Sequence, residues 1–168
     1  MEIYILRHGI AVERGTPGYK KDNERPLTKE GEEKMHQIAD AMLAMGLKFD
    51  LILSSPYVRA RQTAEIIAEA LRTRTKIEFS ETLTPSGNAR KLIERLNHIN
   101  PDYQNVLLVG HEPHLSEFIS LLVSGKASFG VIMKKGGLCK LSAASPKYGQ
   151  CAALEWLLTP SQMALIGS

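Results

Sequence analysis

A chain of 168 residues, 43% hydrophobic and 23% charged, is long enough for one domain around one sizeable core, and its composition excludes disordered, collagen-like and coiled-coil classes. Its formal charge of +3 comes from 21 basic against 18 acidic residues with no long basic run, which argues against a nucleic-acid partner but leaves room for a local anion site. No stretch has the length of a membrane span, and the short N-terminal apolar run carries Glu2 without a small-residue cleavage pattern, so neither a membrane partner nor an export signal is expected and the expected compartment is the cytoplasm.

In chain order, Glu2–Leu6 reads as a short buried strand that runs straight into Arg7, His8 and Gly9. The polar segment from Glu13 to Pro26, with its Gly and Pro, reads as a long surface loop. Thr28 is a candidate N-cap with Gly31 three residues on, and Met35, Ile38, Ala39, Met42 and Leu43 keep helical spacing up to Gly46. "FDLILSS" predicts a second strand and "PYVRARQTAEIIAEALR" a helix in which Ser55 is the N-cap, Pro56 the first helical residue and Arg59 about one turn in. "KIEFSETL" predicts a third short strand and its trailing loop, "ARKLIERLNHI" a helix, "NVLLVG" a wholly apolar strand, and "EPHLSEFISLLVSG" a helix ended by Gly125. The last two strands, "GGLCKLSA" and "CAALEWLLTP", are joined by the turn-rich "ASPKYGQ", and Cys139 and Cys151 on them read as reduced core residues rather than a bridge.

Apolar strands that alternate with helices predict an α/β fold, a mainly parallel sheet covered on both faces, with the C-terminal pair extending or flanking it and one antiparallel strand near an edge. All of residues 1–168 are expected to form that one domain. In open sheets of this kind ligands bind beyond the carboxyl ends of the strands. Three such ends carry unusual residues: Arg7, His8 and Gly9; then Ser54, Ser55, Pro56 and Arg59; then Gly110, His111, Glu112 and Pro113.

Two arginines, always charged and forked, suit a tetrahedral dianion, and a histidine among such cations stays neutral, with a ring lone pair able to attack phosphorus. Gly9 lets the backbone turn close to the ligand and offers a carbonyl to His8. An isolated Arg-His-Gly is a weak motif, Arg59 with Arg61 also fits a solvated helix face, and His111 also fits a buried structural histidine; their joint placement is what points to a site. "HEPH" lacks the spacing and helix of a zinc motif, so no metal is expected there, and His36 and His98 read as ordinary helix residues.

With these segments in hand, "YILRHGIA", "RPLTKEGEEKM", "LILSSPYVRARQTAEI", "VLLVGHEPHLSE" and "WLLTP", the chain resembles the histidine phosphatase superfamily, most closely its small phosphohistidine phosphatase branch, the SixA type. The resemblance implies a three-layer α/β/α sandwich of phosphoglycerate mutase-like fold. It implies His8 as phosphorylated nucleophile, Arg7, Arg59 and His111 as the phosphate pocket with Gly9 and Glu112 beside it, no metal or organic cofactor, and a phosphohistidine-containing protein, a phosphotransfer domain or carrier, as partner.

One departure bears on substrate. Mutases and many phosphomonoesterases of the superfamily place a glutamate proton donor shortly after the third strand, where this chain has "LTPSGN" and Pro85. A missing general acid slows cleavage of a P–O ester more than that of a P–N bond, whose imidazole leaves readily. Glu81 and Glu112 remain open as donors, and a small phosphate ester or a non-catalytic phosphoprotein-binding role remain the alternative functions. Lys20 and Lys21 in the long loop read equally as a docking feature or a solvated surface.

Overall fold

The structure, a computed structural model, describes residues 1–72 and 75–167. Among the described residues six strands and five α-helices follow in the order β1 (Glu2–Arg7), α1 (Lys29–Ala44), β2 (Leu51–Ser54), α2 (Val58–Ala70), β3 (Ile77–Phe79), α3 (Ala89–Asn97), β4 (Asn105–Gly110), α4 (His114–Ser124), β5 (Leu138–Ala143), β6 (Ala152–Leu158) and α5 (Pro160–Ile166). The strands form one sheet in the order β3-β2-β4-β1-β5-β6. The first four are mutually parallel, and the C-terminal hairpin extends the sheet, with β5 antiparallel to both β1 and β6.

Alternate residues of each central strand face opposite layers, as the pleat requires. Ile3, Ile5, Leu51, Leu53, Val106 and Leu108 pack with α3 and α4, whereas Tyr4, Leu6, Ile52, Leu107 and Val109 pack with α1, α2 and α5. Both sides of β1 and β4 are therefore apolar, which explains their unalternating sequences. The result is a three-layer α/β/α sandwich.

Local signals account for most boundaries. Thr28 caps α1 by accepting from the Gly31 amide, a contact worth about 1 kcal/mol, and Gly125 ends α4 in the left-handed conformation at φ 78°. Two expectations need correction. The helix after β2 starts at Val58 with Tyr57 as N-cap, not at Pro56, so Arg59 is its second residue. Cys151 lies one residue before β6 and is only half-buried, its thiol donating to the Lys147 carbonyl oxygen; Cys139 is buried and faces Leu157 across the hairpin. Helix α5 went unread, although Thr159 and Gln162 form a capping box around Pro160 at its first turn.

The start of α1 sits against the segment that follows the Arg-His-Gly corner. A Cβ on Gly31 would lie 2.0 Å from the Ile10 carbonyl oxygen, and that same oxygen accepts the Thr28 amide at 2.9 Å. In an open helix Gly→Ala gains about 1 kcal/mol. At this position the backbone collision outweighs that gain, and Gly31→Ala is expected to destabilise the fold by about 1–3 kcal/mol in urea unfolding; a stabilised variant would contradict the close approach.

Candidate active site

Because β4 is inserted between β2 and β1, the three carboxyl ends that carry the chemistry are neighbours on one edge of the sheet. Backbone bonds stitch them together: the His8 amide donates to Gly110 at 3.1 Å and the Ser55 amide to Val109 at 2.9 Å. The Gly9 amide donates to Thr63 Oγ1 at 3.1 Å, and that hydroxyl donates to the Arg59 carbonyl at 2.7 Å, which locks the corner to the first turns of α2. Gly9 is required for space, since a Cβ there would stand 2.7 Å from Met35 Cγ.

The buried ring of His8 has its protonation read at both ends. Its Nδ1 lies 2.6 Å from the Gly9 carbonyl oxygen, which can only accept, so Nδ1 carries the proton. Its Nε2 lies 3.2 Å from Arg59 Nε, which can only donate, so Nε2 holds the lone pair. Burial, reinforced by the charges of Arg59 and Arg7, lowers its pKa to about 3 against the partial support of the Gly9 carbonyl. The neutral ring with its lone pair on Nε2 is thus the resting form.

Arg59 is 2% exposed and its fork is held from the far side by a residue that sequence reasoning passed over. Asp22 accepts from Arg59 through both its backbone oxygen, at 2.7 Å, and its carboxylate, at 3.0 Å. The same carboxylate accepts from Arg25 at 2.6 Å and from Arg14 at 3.1 Å. Desolvation works against that charge, but the hydrogen bonds from Arg25 and Arg59 prevail and hold the carboxyl at about 2. The long loop is therefore tied to the site by one aspartate. Tyr57 also adjoins it, its ring 5.1 Å from that of His111 and 5.2 Å from the Arg59 guanidinium carbon. Arg61 turns outward to Glu65 at 3.8 Å.

His111 stacks obliquely beside His8, ring centroids 4.8 Å apart, and burial with the neighbouring His8 and Arg59 lowers its pKa to about 2. Its Nε2 meets Ser55 Oγ at 2.8 Å while its buried Nδ1 has no partner. Arg7 donates through one terminal nitrogen to the Met133 carbonyl at 2.7 Å, and its buried Nε is likewise unpartnered. Unsatisfied buried polar atoms are costly, and those on Arg7 and His111 sit on two of the residues gathered around the His8 ring.

Glu112, whose charge acts on Arg7, accepts through its two carboxylate oxygens from the Ser116 amide at 3.1 Å and hydroxyl at 2.6 Å at the start of α4. Glu81 is exposed on a 3-10 turn, and Pro85 borders a crevice with Tyr57 and Asp22. Among the described residues no group of three or more His, Cys, Asp or Glu stands together as a metal site, and no helix is long and apolar enough to cross a membrane. His36 and His98 lie exposed on α1 and at the end of α3.

The α/β sheet thus brings His8, His111 and Arg59 together past its carboxyl edge, with Arg7 next to His8 at the end of β1. The family model described as histidine phosphatase superfamily (branch 1) matches residues 3–84. The chain is 36% identical over 149 residues to an uncharacterized protein of Picosynechococcus sp., covering 88% of each. It is 32% identical over 132 residues to the phosphohistidine phosphatase SixA homolog of Haemophilus influenzae, covering 73% of this chain and 77% of that one. The solved protein histidine phosphatase SixA in complex with tungstate superimposes with a TM-score of 0.82 at 22% identity, over 96% of this chain and 98% of that one, and so shares the fold. The chain belongs to the histidine phosphatase superfamily, in its SixA-type branch.

The Asp22 clamp makes a prediction about pH. A carboxyl depressed to about 2 in the folded state, against about 3.9 unfolded, stabilises the fold above the unfolded value and loses that contribution as pH falls through about 2. The stability gap between the parent protein and Asp22→Asn should therefore be large at pH 6 and shrink toward pH 2 in thermal unfolding. A gap unchanged with pH would contradict the ionic clamp.

Proposed function

We propose that the chain hydrolyses phosphohistidine carried on a protein, passing the phosphoryl group first to His8 and then to water. The observation that carries this reading is the lone pair of His8 Nε2, fixed by the Gly9 carbonyl, in a cluster where Arg7 Nε and His111 Nδ1 are buried polar atoms without partners. The likeness to the Haemophilus phosphohistidine phosphatase SixA homolog supports the same activity.

In the first step the His8 Nε2 lone pair forms a bond to phosphorus as the substrate P–N bond breaks, and its electron pair returns to the departing nitrogen. A substrate imidazole protonated on its other nitrogen leaves neutral, so no general acid is required. The positive charge moves to the His8 ring, where the Nδ1 proton stays bound to the Gly9 carbonyl. Arg7, Arg59 and His111 bind the three phosphoryl oxygens, where charge is spread during transfer. In the second step water attacks phosphorus, the Nε2 pair is restored, and the water proton leaves with phosphate.

The local carboxylates support a P–N substrate. Asp22 is held ionised by arginines, which makes it an acceptor rather than a proton donor, and Glu112 is bound to α4. An alkoxide leaving group would need such a donor.

The test compares phosphate release from a phosphohistidine protein with release from a panel of small phosphate esters. The phosphohistidine protein should have the higher kcat/KM, His8→Ala should abolish turnover, and His111→Ala should lower kcat roughly a hundred- to a thousandfold, as removal of one oxyanion donor does. Arg59→Lys keeps the charge without the fork and should weaken tungstate binding along with turnover. A sugar phosphate or phosphoglycerate turned over with the higher kcat/KM would overturn the substrate assignment.

A further inference from the structure

Two basic crevices flank the phosphoryl pocket, and they differ in size and in how far their cations are already spent. On the Arg59 side, the crevice of about 290 Å³ beside Lys20 and Lys21 contains Asp22, whose carboxylate engages Arg14, Arg25 and Arg59. On the Arg7 side, α1, α5 and the turn that precedes β5 enclose a groove of about 770 Å³. Its wall carries Arg7, Lys34, Lys134 and Lys135 and no carboxylate, over an apolar floor that includes Ile38 and Pro160.

The lysines of this groove are held in register with the phosphoryl pocket. The Arg7 amide donates to Gly137 and its carbonyl accepts from Gly136, at 3.1 and 3.0 Å, while its guanidinium donates to Met133. The turn is closed by the Gly137 amide on the Lys134 carbonyl at 2.7 Å. Gly136 sits at φ 80°, and a Cβ there would meet Ile38 Cδ1 at 2.6 Å, so the turn packs directly on α1. Among the described residues Lys134 and Lys135 have no carboxylate partner, and Lys34 pairs only with the exposed Glu30 of its own helix, a contact of little worth that another anion can replace. Ile132, 77% exposed, stands two residues ahead of Lys134.

A phosphoryl group fills only a small part of such a volume, which is that of a site for a larger ligand. We propose that this groove docks an acidic stretch of the phosphohistidine-bearing protein, with Lys34, Lys134 and Lys135 on its carboxylates while the phosphorylated ring enters past Arg7. The inference rests on the proposed phosphohistidine activity and adds which feature of the protein substrate is selected. The lysines steer and hold the chain; they are not catalytic residues.

The experiment uses three substrates: a phosphohistidine peptide flanked by aspartates and glutamates, the same peptide with serines in their place, and free phosphohistidine. At low salt the acidic peptide should exceed the serine peptide in kcat/KM by about tenfold, and the preference should fade at roughly 0.5 M salt. Lys134→Ala/Lys135→Ala should reduce it to within about twofold through the KM of the acidic peptide, while Lys20→Ala/Lys21→Ala should preserve it. Equal turnover of both peptides by the parent protein, or a preference lost with Lys20 and Lys21 but kept without Lys134 and Lys135, would overturn the groove. Titration with the unphosphorylated acidic peptide separates the two claims. Binding that depends on Lys134 and Lys135 in the absence of any phosphohistidine turnover would uphold the groove and overturn the activity, whereas turnover without such binding would do the reverse.

Discussion

The hydrogen bond from His8 Nδ1 to the Gly9 carbonyl, 2.6 Å long and sealed from solvent, fixes which nitrogen of the ring can do chemistry. With the proton committed to Nδ1, the pair on Nε2 accepts from Arg59, and burial keeps the ring neutral well below physiological pH. Much else in the local structure serves that bond. Gly9 must approach Met35 more closely than any side chain would permit, Thr63 must hold the Gly9 amide, and the His8 amide must stay bonded to β4.

The cations near His8 are restrained by fixed acceptors. Arg7 is held by Met133 and the turn before β5, Arg59 by Asp22, and Asp22 in turn by Arg14 and Arg25. In the proposed reaction, arginines positioned through fixed acceptors would need little reorganisation when a phosphoryl group arrives, which is how preorganised electrostatics lowers a barrier. Ser55 holds the His111 ring in place through Nε2 at 2.8 Å, leaving Nδ1 as the unpartnered atom.

The strands and most helices were legible because their signals are local: unalternating apolar runs, Thr28 as cap, Gly125 as stop. His8, Arg7, Arg59 and His111 were singled out because an α/β chain exposes its ligand-binding residues just past strand ends, and these stood at three such ends. That β4 lies between β1 and β2, and so sets His111 beside His8, is a matter of strand order that no local pattern encodes. Asp22 escaped notice for a related reason, since its partners are Arg14, Arg25 and Arg59, and only the folded loop brings the last of these within reach. Ser55 was read as a helix cap because Ser-Pro is a common helix start; the helix instead begins at Val58 and the hydroxyl meets His111.

The central claim is that His8 accepts the phosphoryl group through Nε2. Rapid mixing of the protein with a labelled phosphohistidine substrate, followed by alkaline quench and peptide mapping, tests it most directly. The account predicts label on His8, attached at Nε2, retained in base and lost in acid as phosphohistidine is. Label on His111 or at His8 Nδ1, or a label that survives acid, would contradict it.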